Sequence, residues 1–217
     1  MHDLQALFMA LRFGGVMVYP LLLLAVLAIV VLLDKAYVFW RYARVPASMV
    51  QLVETYGFTW GDLGQQIGAF GPNHYFRRFF QVIIANRDQP AWWVESRAAD
   101  EASLIEKSLG RGLWVLETIV TAAPLLGLLG TITGMFGAFK LFGSQGLVNP
   151  TGVTGGVAQA LVATALGLFI ALLALFAFNY FSRLHAQVMD EMERLGTRLV
   201  DHIRLDQQEQ EVAREAA

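Results

Sequence analysis

The stretch "GGVAQALVATALGL", Gly155 to Leu168, sets an amide and a hydroxyl, Gln159 and Thr164, among glycines and alanines. It lies in a run without a charged residue between Lys140 and Arg183. Polar groups in such a run can do one of two things. They can bridge neighbouring helices by hydrogen bonds worth about 0.6–2 kcal/mol each. They can also hold water and ions along a path through an assembly. An earlier apolar run supplies two more candidates, Thr131 and Glu117, and Glu117 is the only carboxylate in any apolar run. Intramembrane acids are functional candidates by default. Glu117 lies five residues past Gly112, about 8 Å along a helix rising 1.5 Å per residue. At that depth a carboxylate can also snorkel to interfacial water.

Other chemistries lack their residues. There are no cysteines, which excludes disulfides and thiol catalysis. The four histidines, His2, His74, His185 and His202, are scattered without ligand spacing, so no metal site is expected. No nucleophile–base set and no phosphate-binding loop is present. The chain is therefore expected not to be an enzyme and to need no cofactor. A net charge of −2 makes nucleic acid an unexpected partner.

The elements that must hold these groups are read from hydropathy. The 217 residues are 56% hydrophobic and 16% charged, with a mean hydropathy of +0.49. A soluble domain carries about a quarter charged residues, so the surplus of apolar residues points to membrane spans. Three runs are long enough for the roughly 20 residues a span requires. They are 13–33, 112–139 and 155–182. The first is expected to be a retained span rather than a signal peptide, because no basic stretch precedes it. Pro20 lies within it, and Tyr37, Trp40 and Tyr42 follow as an aromatic belt. Residues 140–154, rich in Gly, Pro, Asn and Ser, form a short turn. Of sixteen Lys and Arg, all but Arg12 and Lys140 fall in 34–111 or 183–217. The positive-inside rule places those two segments in the cytoplasm, with the N-terminus (1–12) and the 140–154 loop outside.

Both cytoplasmic segments are expected to be helical. The first should hold one helix running from about Trp92 straight into the second span. The tail places Leu184, Val188, Met192, Leu195, Leu199 and Ile203 on one face, and so continues the third span as an amphipathic helix with a polar, frayed end. The fold class is thus an all-α membrane protein, three transmembrane helices with long cytoplasmic helical extensions.

The second span carries Gly127, Gly130, Gly134 and Gly137 at steps of three, four and three, with Thr131 beside them. The third carries Gly156, Ala160, Ala163, Gly167, Ala171 and Ala174. Lipid tails are as apolar as leucine, so membrane helices associate where small residues let backbones approach. Both stripes are packing faces. Such faces occur in most polytopic membrane proteins, so periodicity alone leaves a purely structural reading open beside the ion-path reading.

Two motifs go further. "TAAPLLGLLGTITGMFGAF", Thr121 to Phe139, resembles the second-span signature of the ExbB/TolQ/MotA family. "GGVAQALVATALGLFIALLALFAFNYF", Gly155 to Phe181, resembles the third-span signature of its ExbB and TolQ branch. The resemblance implies a homopentameric ring in the bacterial inner membrane, its second and third helices lining a central channel. It implies two single-span partners of the ExbD/TolR type inside the ring, and a periplasm-spanning partner of the TonB/TolA type that receives the work of proton flow. Import through outer-membrane receptors and envelope maintenance of the TolQ kind are alternative roles, and a non-conducting scaffold is a third. The family's ring-lining threonines fall on Thr131 and Thr164. Its third-span glutamate falls on Gln159, and a proline common later in that helix falls on Leu173. An amide cannot titrate. The proton-carrying acid then resides on the single-span partner, or Glu117 supplies it, or the chain is a scaffold.

Overall fold

The computed structural model describes residues 15–44, 47–55, 59–140 and 150–215, and all their regular structure is helical. The expected N-terminal segment 1–12, the start of the first span and most of the 140–154 turn lie outside the described residues. Among the described residues seven helices follow in order: α1 (Val18–Tyr42), α2 (Ala47–Glu54), α3 (Trp60–Gly68), α4 (Tyr75–Ala85), α5 (Ala91–Gly110), α6 (Leu113–Lys140) and α7 (Pro150–Glu215). Three helical stretches, Val18–Tyr42, Ala91–Lys140 and Gly152–Glu215, each contain a segment long and apolar enough to cross a membrane. The chain divides into two compact units. Met1–Leu33 and Gly112–Phe181 form an apolar unit; Asp34–Arg111 and Ser182–Ala217 form a polar one.

In the apolar unit, α1 starts from a turn at Gly15, whose φ of 69° lies in the left-handed region that favours glycine. The Val18 amide bonds back to the Gly15 carbonyl at 3.2 Å. The helix begins late enough that Pro20 falls in its first turn, where the missing amide costs no helical bond. In α6, Pro124 is truly interior and removes the bond the Val120 carbonyl would accept. Leu21, Ile119, Ala123, Ile170, Ala171 and Ala174 form a buried cluster joining α1, α6 and α7. Large apolar side chains such as Leu23, Ile29, Phe136, Phe169 and Phe176 point outward at 57–65% exposure, the surface a bilayer or neighbouring subunits would cover.

The polar unit is a helical bundle around Phe76, Phe79, Phe80, Val94, Ile105, Leu109, Met192, Leu195 and Leu199. Helix α3 opens with a reciprocal capping box between Thr59 and Asp62, two otherwise orphan amides satisfied by two side chains. Helix α4 buries Phe76, Phe79, Phe80 and Ile83 on one face, the spacing of a half-buried helix. His74 precedes it. Its Nε2–H donates to the Arg44 carbonyl at 3.0 Å, while Nδ1 is buried without a partner among the described residues. Burial beneath the stacked Phe70 ring, with Arg41 nearby, holds its pKa below the usual histidine value.

The tail of α7 behaves as its periodicity predicts, burying Met192, Leu195, Leu199 and Ile203. It stays helical to Glu215 rather than fraying after Asp206. Helix α7 starts at Pro150, so residues 150–154 of the expected turn are helical. One expectation is corrected: α5 does not run unbroken into α6, because Arg111 leaves helical backbone (ψ 123°) and Gly112 takes φ 89°. "GRG" at 110–112 supplies the glycine such a break demands.

Candidate functional site: the small-residue seam

The seam between α6 and the first half of α7 contains most of the small residues singled out by sequence. A Cβ built on Gly127 would lie 3.1 Å from the Ala163 carbonyl oxygen and 3.1 Å from the Thr164 Cα. One on Gly134 would lie 3.0 Å from the Gly156 oxygen and 3.1 Å from the Ala160 Cβ. One on Gly167 would lie 2.5 Å from the Ala123 oxygen. Gly130 abuts Ala163 and Gly156 abuts Ala138. Backbone is thus packed on backbone along the whole seam, which only glycine and alanine permit.

Gly137 is not part of the seam: nothing lies within 4 Å of its would-be Cβ, and Ala138 is buried in its place. The reason is helical phase. Ten residues past Gly127 leave a position about 80° off its face, whereas eleven return to within about 20°.

The polar candidates take different places. Thr164 is half-buried, and its Oγ1 donates across the seam to the Gly127 carbonyl at 3.0 Å. Thr131 is half-buried too, but its hydroxyl donates to Leu128 of its own helix at 2.6 Å. A hydroxyl that donates in this way keeps lone pairs able to accept from water. Gln159 is half-buried at the other side of the seam, its amide against Gly15, where any Cβ would overlap it. Glu117 is exposed in the second turn of α6, near neither Thr164 nor Gln159 in sequence register. Glu117, Thr121 and Thr131 nonetheless share one side of α6, within about 80° of arc at 3.6 residues per turn. Leu173 is 52% exposed. Among the described residues no group of three metal-ligating side chains occurs.

Lys35, one of the basic residues that flank the first span and set its orientation by the positive-inside rule, has a contact that this position does not predict. Its side chain is 3% exposed, and its ammonium donates to the Leu109 carbonyl at 3.0 Å, with the Asp34 carboxylate 3.9 Å away. Leu109 sits in the last turn of α5, where the break at Arg111–Gly112 leaves carbonyls without amide donors. A cation at a helix C-terminus meets both the orphan acceptor and the helix dipole. Lys35 therefore caps the C-terminal end of α5, a role that hydropathy assigns to no flanking lysine.

Fold and seam define the class: a helical membrane protein whose second and third apolar helices pack face to face on small residues. The profile of the MotA/TolQ/ExbB proton channel family matches residues 72–194, more than half of the chain. A putative biopolymer transport protein ExbB-like 1 of Synechocystis is 31% identical over 195 residues, covering 86% of this chain and 74% of the relative. The biopolymer transport protein ExbB of Xanthomonas campestris pv. campestris is 40% identical over 93 residues, 43% of this chain and 37% of that one. Its namesake from Aquifex aeolicus is 39% identical over 79 residues, 36% of this chain and 53% of the relative. The chain thus spans little more than a third of the Xanthomonas relative. It belongs to the MotA/TolQ/ExbB proton channel family, on the side of its ExbB-named members, and is a multi-pass protein of the bacterial inner membrane.

Proposed function

We propose that the chain is the ring-forming subunit of an ExbB-type proton motor. In this reading five copies surround two single-span subunits of the ExbD/TolR type, with the N-terminus outside and the polar unit in the cytoplasm. Proton flow moves ring against partners, and a TonB-type protein carries the work to outer-membrane importers. The supporting observation is the seam: α6 and α7 meet backbone to backbone, with the Thr164 hydroxyl as its cross-link. Such a pair forms a smooth, stiff stave. The hydroxyls of Thr131 and Thr164 can still accept hydrogen bonds from a water chain. A titrating carboxylate on the partner loads from one side and discharges to the other as the stave passes. Each charge crossing 100 mV releases about 2.3 kcal/mol.

Gln159 holds no proton, and its packing on Gly15 supports a positioning role at the start of α1. Glu117 stands second as a carrier, at the exit of the path. A TolQ-like role in envelope maintenance would use the same machinery. Native mass of the detergent-extracted protein tests the ring. A species near five times 24.0 kDa is expected; a stable monomer or dimer would remove the structural premise.

A further inference from the structure

Helices α5 and α7 run antiparallel in the polar unit. Arg204 reaches Glu95 at 2.9 Å, and Gly110 lies beside His185. Between them opens a groove of about 510 Å³. Its floor is apolar, made by Phe79, Ala98, Met192 and Val200, and closed where Gly196 lets the Phe79 ring approach. Its rims are two helical rows. Glu95, Ala99, Ala102 and Glu106 stand on α5; Glu193, Thr197 and Arg204 stand on α7. These steps of four, three and seven are those into which a third helix interdigitates. Eleven residues separate the ends of each row, about 16 Å or three helical turns.

Charge is distributed unevenly along the groove. One end is latched by the Glu95–Arg204 ion pair, with Arg204 also held by Asp201 at 2.9 Å. At the other end stand Glu106 and Glu193, exposed and without an ion-pair partner among the described residues. The antiparallel register sets them opposite each other, as it does Glu95 and Arg204. This mouth is the end of α5 that leads in sequence to α6, and the end of α7 that follows its apolar half.

We propose that this groove docks a short basic amphipathic helix from the cytoplasmic flank of a membrane partner, the single-span subunit of the motor. The inference rests on the function proposed above. Its grounds are complementary charge and position. Cytoplasmic flanks of membrane spans carry an excess of Lys and Arg close to the bilayer. Two carboxylates without ion-pair partners among the described residues, at the mouth nearer in sequence to the apolar segments, are their counterpart. Small rim residues, Ala99, Ala102, Ser103 and Thr197, leave room for the partner's larger apolar side chains. Each ring subunit would thereby hold the flank of the moving partner in turn.

The chain contains no cysteine, so single-cysteine variants report cleanly. Ser103→Cys and Thr197→Cys are introduced separately and co-expressed with an ExbD/TolR-type subunit bearing one cysteine in its basic cytoplasmic flank. Membrane vesicles are treated with a short bismaleimide. We expect a heterodimeric cross-link from both positions, reduced at least tenfold by the double change Glu106→Lys and Glu193→Lys, and restored when the partner's flank lysines are changed to Glu. Elution of the variant as the wild-type species guards against misfolding. The exposed Glu209→Lys serves as the charge control and should leave the yield unchanged. A partner that co-purifies with no cross-link from either position overturns the docking site and leaves the motor reading standing. Cross-links between two copies of this chain alone overturn it also. A partner that fails to co-purify removes both.

Discussion

The seam makes opposite predictions for the same substitution at two glycines of the apolar unit. In Gly167→Ala the new methyl would sit 2.5 Å from the Ala123 oxygen. An ordinary carbon–oxygen contact is about 3.3–3.6 Å, so the helices must part by nearly 1 Å. That displacement would carry the Thr164 hydroxyl, now 3.0 Å from the Gly127 carbonyl, beyond hydrogen-bond range. Overpacking costs about 1–3 kcal/mol, and the lost bond adds about 0.6–1.7 kcal/mol. The better helix propensity of alanine returns up to about 1 kcal/mol. The net expectation is a loss of about 1–4 kcal/mol. In Gly137→Ala the methyl meets nothing within 4 Å. Only the propensity gain remains, so stability should rise by up to about 1 kcal/mol. The assay is denaturation of the detergent-solubilised protein followed by circular dichroism. Equal midpoints, or shifts of the same sign, would refute the assignment of the seam.

Three further outcomes follow from single contacts. Thr164→Val should lose about 0.6–1.7 kcal/mol in the same assay and Thr164→Ser less than half of that, because only the hydroxyl crosses the seam. Lys35→Met leaves the Leu109 carbonyl buried without a donor, a loss of about 1–3 kcal/mol, read as faster amide exchange around Arg111–Gly112. His74 has a folded-state pKa below its unfolded value, so the unfolded chain binds the proton more readily. Its contribution is complete above about pH 6.5 and is lost as pH falls from there towards the folded value. The denaturation midpoint should therefore drop on acidification through that window, and His74→Gln should flatten the slope.

Much of the seam was legible because glycine and alanine at helical spacing have few other uses in lipid. Phase was legible only locally. Steps of three, four and three look like one face at Gly127, Gly130 and Gly134, yet accumulate enough error by Gly137 to miss it. Spacing also identified Thr164 as polar but not its acceptor, a backbone carbonyl 37 residues away in the chain. The helix break at Arg111–Gly112 had a signal in its paired glycines, outweighed by the long helical run on either side. Lys35 had none. Among residues flanking a span a lysine reads as a positive-inside anchor, and its burial on the end of α5 depends on packing that no local pattern encodes. The groove between α5 and α7 is likewise a property of antiparallel register, although the apolar stripe that forms its α7 side was plain in the sequence.

The central claim is that this chain, with a single-span partner, conducts protons. Its direct measurement is acidification of liposomes containing both proteins, reported by a pH-sensitive dye under a potassium-diffusion potential. Flux is expected only when both proteins are present, and should fall at least tenfold when the partner's transmembrane acid is neutralised. Glu117→Gln in this chain should reduce it only if that carboxylate forms the exit. Flux no greater than that of protein-free liposomes, from a preparation in which ring and partner remain assembled, would contradict the motor and leave a membrane scaffold in its place.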